Sequence, residues 1–331
     1  MRSLINQEFT FAIAPMMDWS DRHYRSFMRL ITRRAVLYSE MVTAAAVVHG
    51  DRQRLLGFSP LEHPVVLQLG GADPQQLAEA ARIGEGFGYQ QINLNVGCPS
   101  DRVQSGRFGA ALMLEPEIVA NCVLAMQAAV SVPVTVKCRI GVDAQNVQQT
   151  LPNFLQIVAD AGCQTFIIHA RKAWLKGLSP KQNRDVPPLE YPLVVEMKRQ
   201  FSQLQIILNG GLLTLEQALA QSANLDGAMI GRAAYHNPWQ WVQVDQQVFA
   251  EPTPPATREQ VVQGLIEYAA LEQGDGTRLH DITRHVLGLF AGEPGARQWR
   301  RILSEDGVKP GADWRVIARA AAEVLPKMSV A

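Results

Sequence analysis

Polar side chains interrupt four short apolar runs at alternate positions. Gln68 lies in VVLQLG, Asn93 and Asn95 in NLNVG, Lys137 in VTVKCR and His169 in FIIHAR. Period-two alternation collects such residues on one face of a strand. Where that face is buried, each needs a hydrogen-bond partner or a compensating charge. An amide, an ammonium and an imidazole around one mouth can hold a polar ring system and stabilise negative charge on it. Two glycine turns add a second kind of chemistry, Asn209-Gly210-Gly211 and Gly231-Arg232. Backbone N–H groups exposed at such turns bind a phosphate, and Arg232 adds a charged donor. Gly97-Cys98-Pro99-Ser100 puts a thiol on a loop, where it can serve as nucleophile or acid. Cys122, Cys138 and Cys163 read as small packing residues.

The elements that must position these groups are legible in the same pattern. Eight β-branched runs recur, at 10–15, 35–40, 64–70, 91–97, 132–139, 165–170, 205–211 and 226–231. Helical periodicity fills the intervals, for example Pro74 to Gly84 and Glu115 to Val130. Eight βα units most economically close into a (β/α)8 TIM barrel, with a doubly wound open sheet as the alternative. The polar residues then fall at the C-terminal ends of their strands, the face that carries barrel active sites, with the glycine turns after strands 7 and 8. An amide, an ammonium, an imidazole and a phosphate site together suit flavin mononucleotide (FMN). A Schiff base at Lys137 is the competing chemistry, and spacing leaves both open. After Trp241 the strand pattern stops. EPTPPAT (251–257) reads as a linker, followed by expected helices over 258–272, 279–289, 296–304 and 313–325. The expected organisation is a barrel over 1–250 and a small C-terminal all-helical domain over 251–331.

Composition narrows the classes further. In 331 residues, 47% are hydrophobic and 19% charged, which excludes a disordered or collagen-like chain. Thirty-one basic residues balance 31 acidic ones, so any nucleic-acid contact must come from local charge. The four cysteines lack paired spacing, so neither a metal site nor a disulfide framework is expected. The apolar stretches are broken by polar residues and proline, which predicts no membrane span and a cytoplasmic location.

Longer segments carry a resemblance. APMMDWSDRHYR (14–25), SEMVTAAAVVHG (39–50), NLNVGCPSDRVQSGRFGAALM (93–113), IIHARKAWLKGLSPKQNR (167–184) and ITRHVLGLFAGEPGARQWRRILSE (282–305) resemble the tRNA-dihydrouridine synthases. The similarity is greatest to the A-type subfamily acting on D-loop uridines 20 and 20a. It implies FMN against Pro15, Met16 and Met17, with Gln68, Lys137 and His169 around the ring. It also implies a phosphate held at Asn209, Gly210, Gly211, Gly231 and Arg232. Cys98 becomes the catalytic acid and Asn95 a contact to the substrate uridine. NADPH is the implied electron donor, and no separate G-x-G-x-x-G unit is present to bind it.

Reduction of a uracil in folded RNA requires the base to leave its stack, and so a surface that holds tRNA. From Arg171 to Arg184 inclusive there are five basic residues and no acidic one, and Arg297 and Arg300 share a helical face. The resemblance singles out Arg184, Arg297 and Arg300 as tRNA contacts. The stripe Arg22, Arg25, Arg29 and Arg33 is expected to be an ordinary charged face. No protein partner is implied. The rival readings are a flavin barrel acting on a free pyrimidine such as dihydroorotate, and a tRNA-binding protein with an idle barrel.

Overall fold

The structure, a computed structural model, describes residues 9–100, 106 and 108–325; residues 101–105 and Arg107 of the 93–113 run lie outside them. Eight strands form the expected barrel: β1 Thr10–Ile13, β2 Val36–Thr43, β3 Val65–Gly70, β4 Gln91–Val96, β5 Val134–Arg139, β6 Thr165–His169, β7 Gln205–Asn209 and β8 Gly227–Ile230. Each pairs in parallel with the next, and β8 closes on β1. The strands read as apolar runs because both faces are covered, helices outside and barrel core inside; β3 is buried along its whole length.

The barrel floor is a layer of Ala12, Ala14, Tyr38, Val66, Ile167, Ile207 and Met229. Positions two residues further along these strands keep the inward direction, so Val66 leads to Gln68, Ile167 to His169 and Ile207 to Asn209. The apolar floor and polar mouth follow from the same alternation.

Outer helices start where the sequence signals them. Asp73 accepts the backbone N–H of Gln76 at 2.7 Å and Pro74 occupies the first turn of the helix Pro74–Gly86. Its Leu77, Ala80, Ala81, Ile83 and Gly84 are buried. At Gly84 a Cβ would sit 2.5 Å from Leu67 Cδ2, so glycine lets this helix lie close on β3.

The chain divides into two compact units. The barrel unit takes in the chain up to Met17, Val36–Phe58 and His63–Gly231. The second comprises Asp18–Ala35, Ser59–Glu62 and the chain from Arg232 onward. It thus includes the helix Arg22–Ile31, whose N-cap Asp21 accepts from His23 N and Tyr24 N at 3.0 Å. Within this unit Arg22 pairs with Glu272, Arg25 with Glu62 at 2.7 Å, and Arg29 donates to three backbone carbonyls. Arg25 and Arg29 are therefore internal structure, which corrects the expected charged face at those two positions, whereas Arg33 is exposed as expected. Beyond it lie helices Arg258–Gly274, Leu279–Thr283, Ala296–Glu305 and Arg315–Ala322. The helix expected over 279–289 is shorter than its sequence pattern. After Thr283 the backbone bonds tighten to i−3, His285 N to Ile282 O and Val286 N to Thr283 O, each at 3.2 Å, and at Gly288 a Cβ would meet the His236 carbonyl at 2.5 Å. Among the described residues no helix is long and apolar enough to cross a membrane.

Candidate active site

The parallel register sets the polar residues side by side. Gln68 pairs with Asn93, Asn95 with Lys137, Arg139 with His169 and His169 with Asn209. Gln68, Asn93 and Asn95, all buried, form a chain: Asn95 Nδ2 donates to Gln68 Oε1, and Gln68 Nε2 to Asn93 Oδ1, both at 2.8 Å. Asn93 Nδ2 continues to Thr135 Oγ1 at 2.9 Å. These bonds orient both amides and leave each of Gln68 and Asn95 one N–H for the mouth.

Lys137 reaches past β6, donating from Nζ to Asn209 Oδ1 at 2.9 Å, and Asn209 Nδ2 is anchored on the Met229 carbonyl at 2.8 Å. Burial, with Arg139 nearby, pulls the lysine pKa down to about 8. It still carries its charge at neutral pH. His169 is held well below the usual imidazole range, first by burial and then by the positive charges of Arg139, Lys137, Arg171 and Arg184. A neutral imidazole beside the cations of Lys137 and Arg139 suits this mouth to an anion. The turn after β7 is shaped to match: Gly210 has φ +105°, and a Cβ there would lie 2.3 Å from His169 Cδ2. No other residue leaves the imidazole its place.

Cys98 is half-buried on the loop after β4. Its backbone N–H and that of Gly97 donate to Asn95 Oδ1 at 3.0 and 3.1 Å, and its carbonyl accepts from Ala110 N at 2.9 Å. Its thiol lies 3.5 Å from the Ser100 hydroxyl. Cys122, Cys138 and Cys163 are fully buried, and burial pushes each thiol up to about 12. They cannot ionise at neutral pH, as their packing role expects.

The remaining positions are distributed as follows. Pro15 and Met16 are half-buried and Met17 is exposed just beyond β1, after Ala14 N donates to Ile230 O at 2.7 Å and so brings the segment level with Gly231. Arg184 is exposed on the loop after β6, in the short helix Gln182–Asp185. Arg232 belongs to the second unit as the first residue of the helix Arg232–His236. Arg297 and Arg300 are exposed on the helix Ala296–Glu305 of that unit, opposite its buried Trp299 and Leu303. The barrel thus brings together Gln68, Asn95, Cys98, Lys137, His169 and Asn209, whereas Arg232, Arg297 and Arg300 lie in the other unit.

Two residues of this site have no obvious mark in the sequence. Arg139 closes β5 with a buried guanidinium, and Asn183, fully buried, holds the loop after β6 by accepting from Trp174 N and donating to the Trp174 and Leu178 carbonyls. Alternation from Lys137 would have found Arg139, which is inward by the same period.

A closed parallel barrel with a cationic, amide-lined mouth and a loop cysteine defines a class of barrel enzymes. Residues 12–321 match the family model described as "Dihydrouridine synthase (Dus)", so the chain belongs to the dihydrouridine synthase family. It is 52% identical over 314 residues to the tRNA-dihydrouridine(20/20a) synthase of Vibrio cholerae, covering 95% of this chain and 96% of that one. Identity is 54% over 294 residues to the protein of that name from Synechocystis, with 89% and 88% covered. For Escherichia coli K12 it is 52% over 318 residues, with 96% and 92% covered. Among solved structures, the old yellow enzyme homologue from Zymomonas mobilis superposes with a TM-score of 0.52 at 12% identity, covering 77% of this chain and 94% of that one. That likeness is one of fold.

Proposed function

We propose that this chain is a flavin-dependent tRNA-dihydrouridine synthase, reducing the C5=C6 bond of D-loop uridines 20 and 20a with electrons from NADPH, in the cytoplasm. The observation that carries this reading is the placement of Cys98: a half-buried thiol on a doubly anchored loop, beside a mouth that holds Lys137 and Arg139. The identity to relatives named tRNA-dihydrouridine(20/20a) synthase supports the substrate.

The donor set fits FMN. Lys137, Gln68 and His169 would face the ring, Pro15, Met16 and Met17 would line it, and Asn209, Gly210, Gly211, Gly231 and Arg232 would hold the phosphate. The cations Lys137 and Arg139 beside His169 support an anion there. When bound and reduced, the flavin supplies a hydride for C6 of the uracil. The ammonium of Lys137 would stabilise negative charge on the bound ring. Cys98 protonates C5, where the resulting enolate is basic, and Asn95 directs its remaining N–H to the uracil.

The target base must be flipped from the tRNA to meet this mouth. Arg184 would hold the phosphate backbone near the barrel mouth. The helical domain, 251–331, would bind tRNA through Arg297 and Arg300, whose exposed guanidiniums meet no carboxylate among the described residues. The reading is tested by mass mapping of dihydrouridine in tRNA from cells with and without the gene, and by NADPH-driven formation of dihydrouridine with purified protein. Unchanged dihydrouridine at positions 20 and 20a in the deletion strain would sink it.

A further inference from the structure

Arg139 is 3% exposed and, among the described residues, meets no carboxylate. Its Nε donates to the Gly97 carbonyl at 3.2 Å, and its Nη1 to the carbonyls of Lys172 at 3.1 Å and Asn183 at 2.8 Å. Removing a guanidinium from water costs several kcal/mol in general, which neutral carbonyls only partly offset, so stability alone does not explain its presence. Arg184 and Arg171 add like charge to this burial and lower its pKa to about 10, so it keeps its proton at neutral pH.

The three acceptors lie on two functional loops. Gly97 precedes Cys98, and the carbonyl of Gly97 and the N–H of Cys98 belong to one peptide unit. Arg139 holds the oxygen end of that unit while Asn95 Oδ1 holds the hydrogen end at 3.0 Å. The peptide plane that launches the cysteine side chain is therefore fixed at both poles. Lys172 and Asn183 lie on the loop after β6, which carries Arg184 one residue further on. Asn183 in turn braces Trp174 by hydrogen bonds at 2.7 and 2.9 Å.

We propose that Arg139 is a positioning residue that couples the Cys98 loop to the loop carrying Arg184, so that one guanidinium sets the proton donor relative to the loop that engages the RNA. The inference rests on the function proposed above. A guanidinium is suited to this because its planar fork presents donors in fixed directions to several carbonyls, whereas an ammonium is a point charge on a flexible stem. Misplacement of a reacting group by about 1 Å costs on the order of 100-fold in rate.

The test is single-turnover dihydrouridine formation on saturating tRNA by the flavin-loaded enzyme, measured beside the rate of flavin reduction by NADPH. Arg139→Gln should slow the tRNA step by about 30-fold, and slow it at least tenfold more than flavin reduction. Arg139→Lys should not rescue it, because charge without the fork does not restore the geometry. Asn183→Ala leaves Arg139 in place but frees its acceptor loop, and should slow the same step; the double variant should be no slower than Arg139→Gln alone. Should Arg139→Gln fail to fold, Asn183→Ala carries the test. A tRNA step at the wild-type rate in either variant, or full rescue by lysine, overturns the coupling. Absence of dihydrouridine with the wild-type enzyme would instead overturn the proposed function.

Discussion

Lys137 Nζ donates to Asn209 Oδ1 at 2.9 Å, bridging β5 to β7 over the intervening strand. The bond holds the ammonium at the mouth and orients the asparagine whose following glycines turn the chain. Lys137→Met removes the donor and the charge together. The purified variant should lose its yellow colour, or keep it and be reduced by NADPH at least tenfold more slowly, as followed by flavin absorbance. A variant with full flavin content and wild-type reduction kinetics would remove Lys137 from the ring's surroundings.

The two half-reactions should separate at Cys98. Cys98→Ala leaves the cation cluster intact, so NADPH should still reduce the flavin, while dihydrouridine formation in tRNA should fall by two to four orders of magnitude, roughly the range of general acid catalysis. Product analysis by mass spectrometry reads the second step. Cys122→Ala, a change inside the packed helix Pro116–Ala129, should affect both steps little. Normal dihydrouridine formation by Cys98→Ala would assign the proton to another group.

Phosphate contacts and catalytic placement predict different signatures in the tRNA step. Arg297→Ala and Arg300→Ala should each weaken binding and flatten its dependence on log salt by about 0.7 to 0.9. Arg184→Ala, on the barrel loop, should in addition depress turnover at saturating tRNA. Filter binding over a salt series with single-turnover rates separates them; unchanged slopes in both helix variants would put the RNA on another surface.

A pH dependence of stability follows from His23. Its Nδ1 lies 2.8 Å from the Tyr268 hydroxyl, and burial lowers its pKa to about 4, against an ordinary 6.5. The unfolded chain therefore binds more protons between these values, and stability rises with pH through that window. The contribution is intact above pH 6.5 and is lost as pH falls towards 4, amounting to about 2 kcal/mol at pH 5. His23→Gln should show a smaller loss of urea stability between pH 7 and pH 5 than the wild type. An identical loss would mean that other groups govern the acid transition.

Alternation and turn chemistry are local properties, and they mark eight βα units, while the choice between a closed barrel and a doubly wound sheet is made only where β8 pairs with β1. Inward polar residues at period two, a glycine pair at a strand end and a cysteine between glycine and proline are each signals contained within a few residues, so Gln68, Asn95, Lys137, His169 and Asn209 are legible as candidates in the sequence. The closed parallel sheet puts the C-terminal ends of all eight strands in one ring, which brings these side chains together. Three features depended on distant parts of the chain. The arginines of Arg22–Ile31 looked like a solvated stripe, yet their partners Glu62 and Glu272 lie 37 and 250 residues away. The helix expected to reach Leu289 stops at Thr283, with the Gly288 backbone in close approach to the His236 carbonyl. Arg139 resembles any charge at the end of a strand until barrel closure buries it under three carbonyls from two other loops. Periodicity fixes which way a side chain points, because that is set by the backbone next to it. What it meets there is set by segments tens to hundreds of residues away, and only tertiary packing decides it.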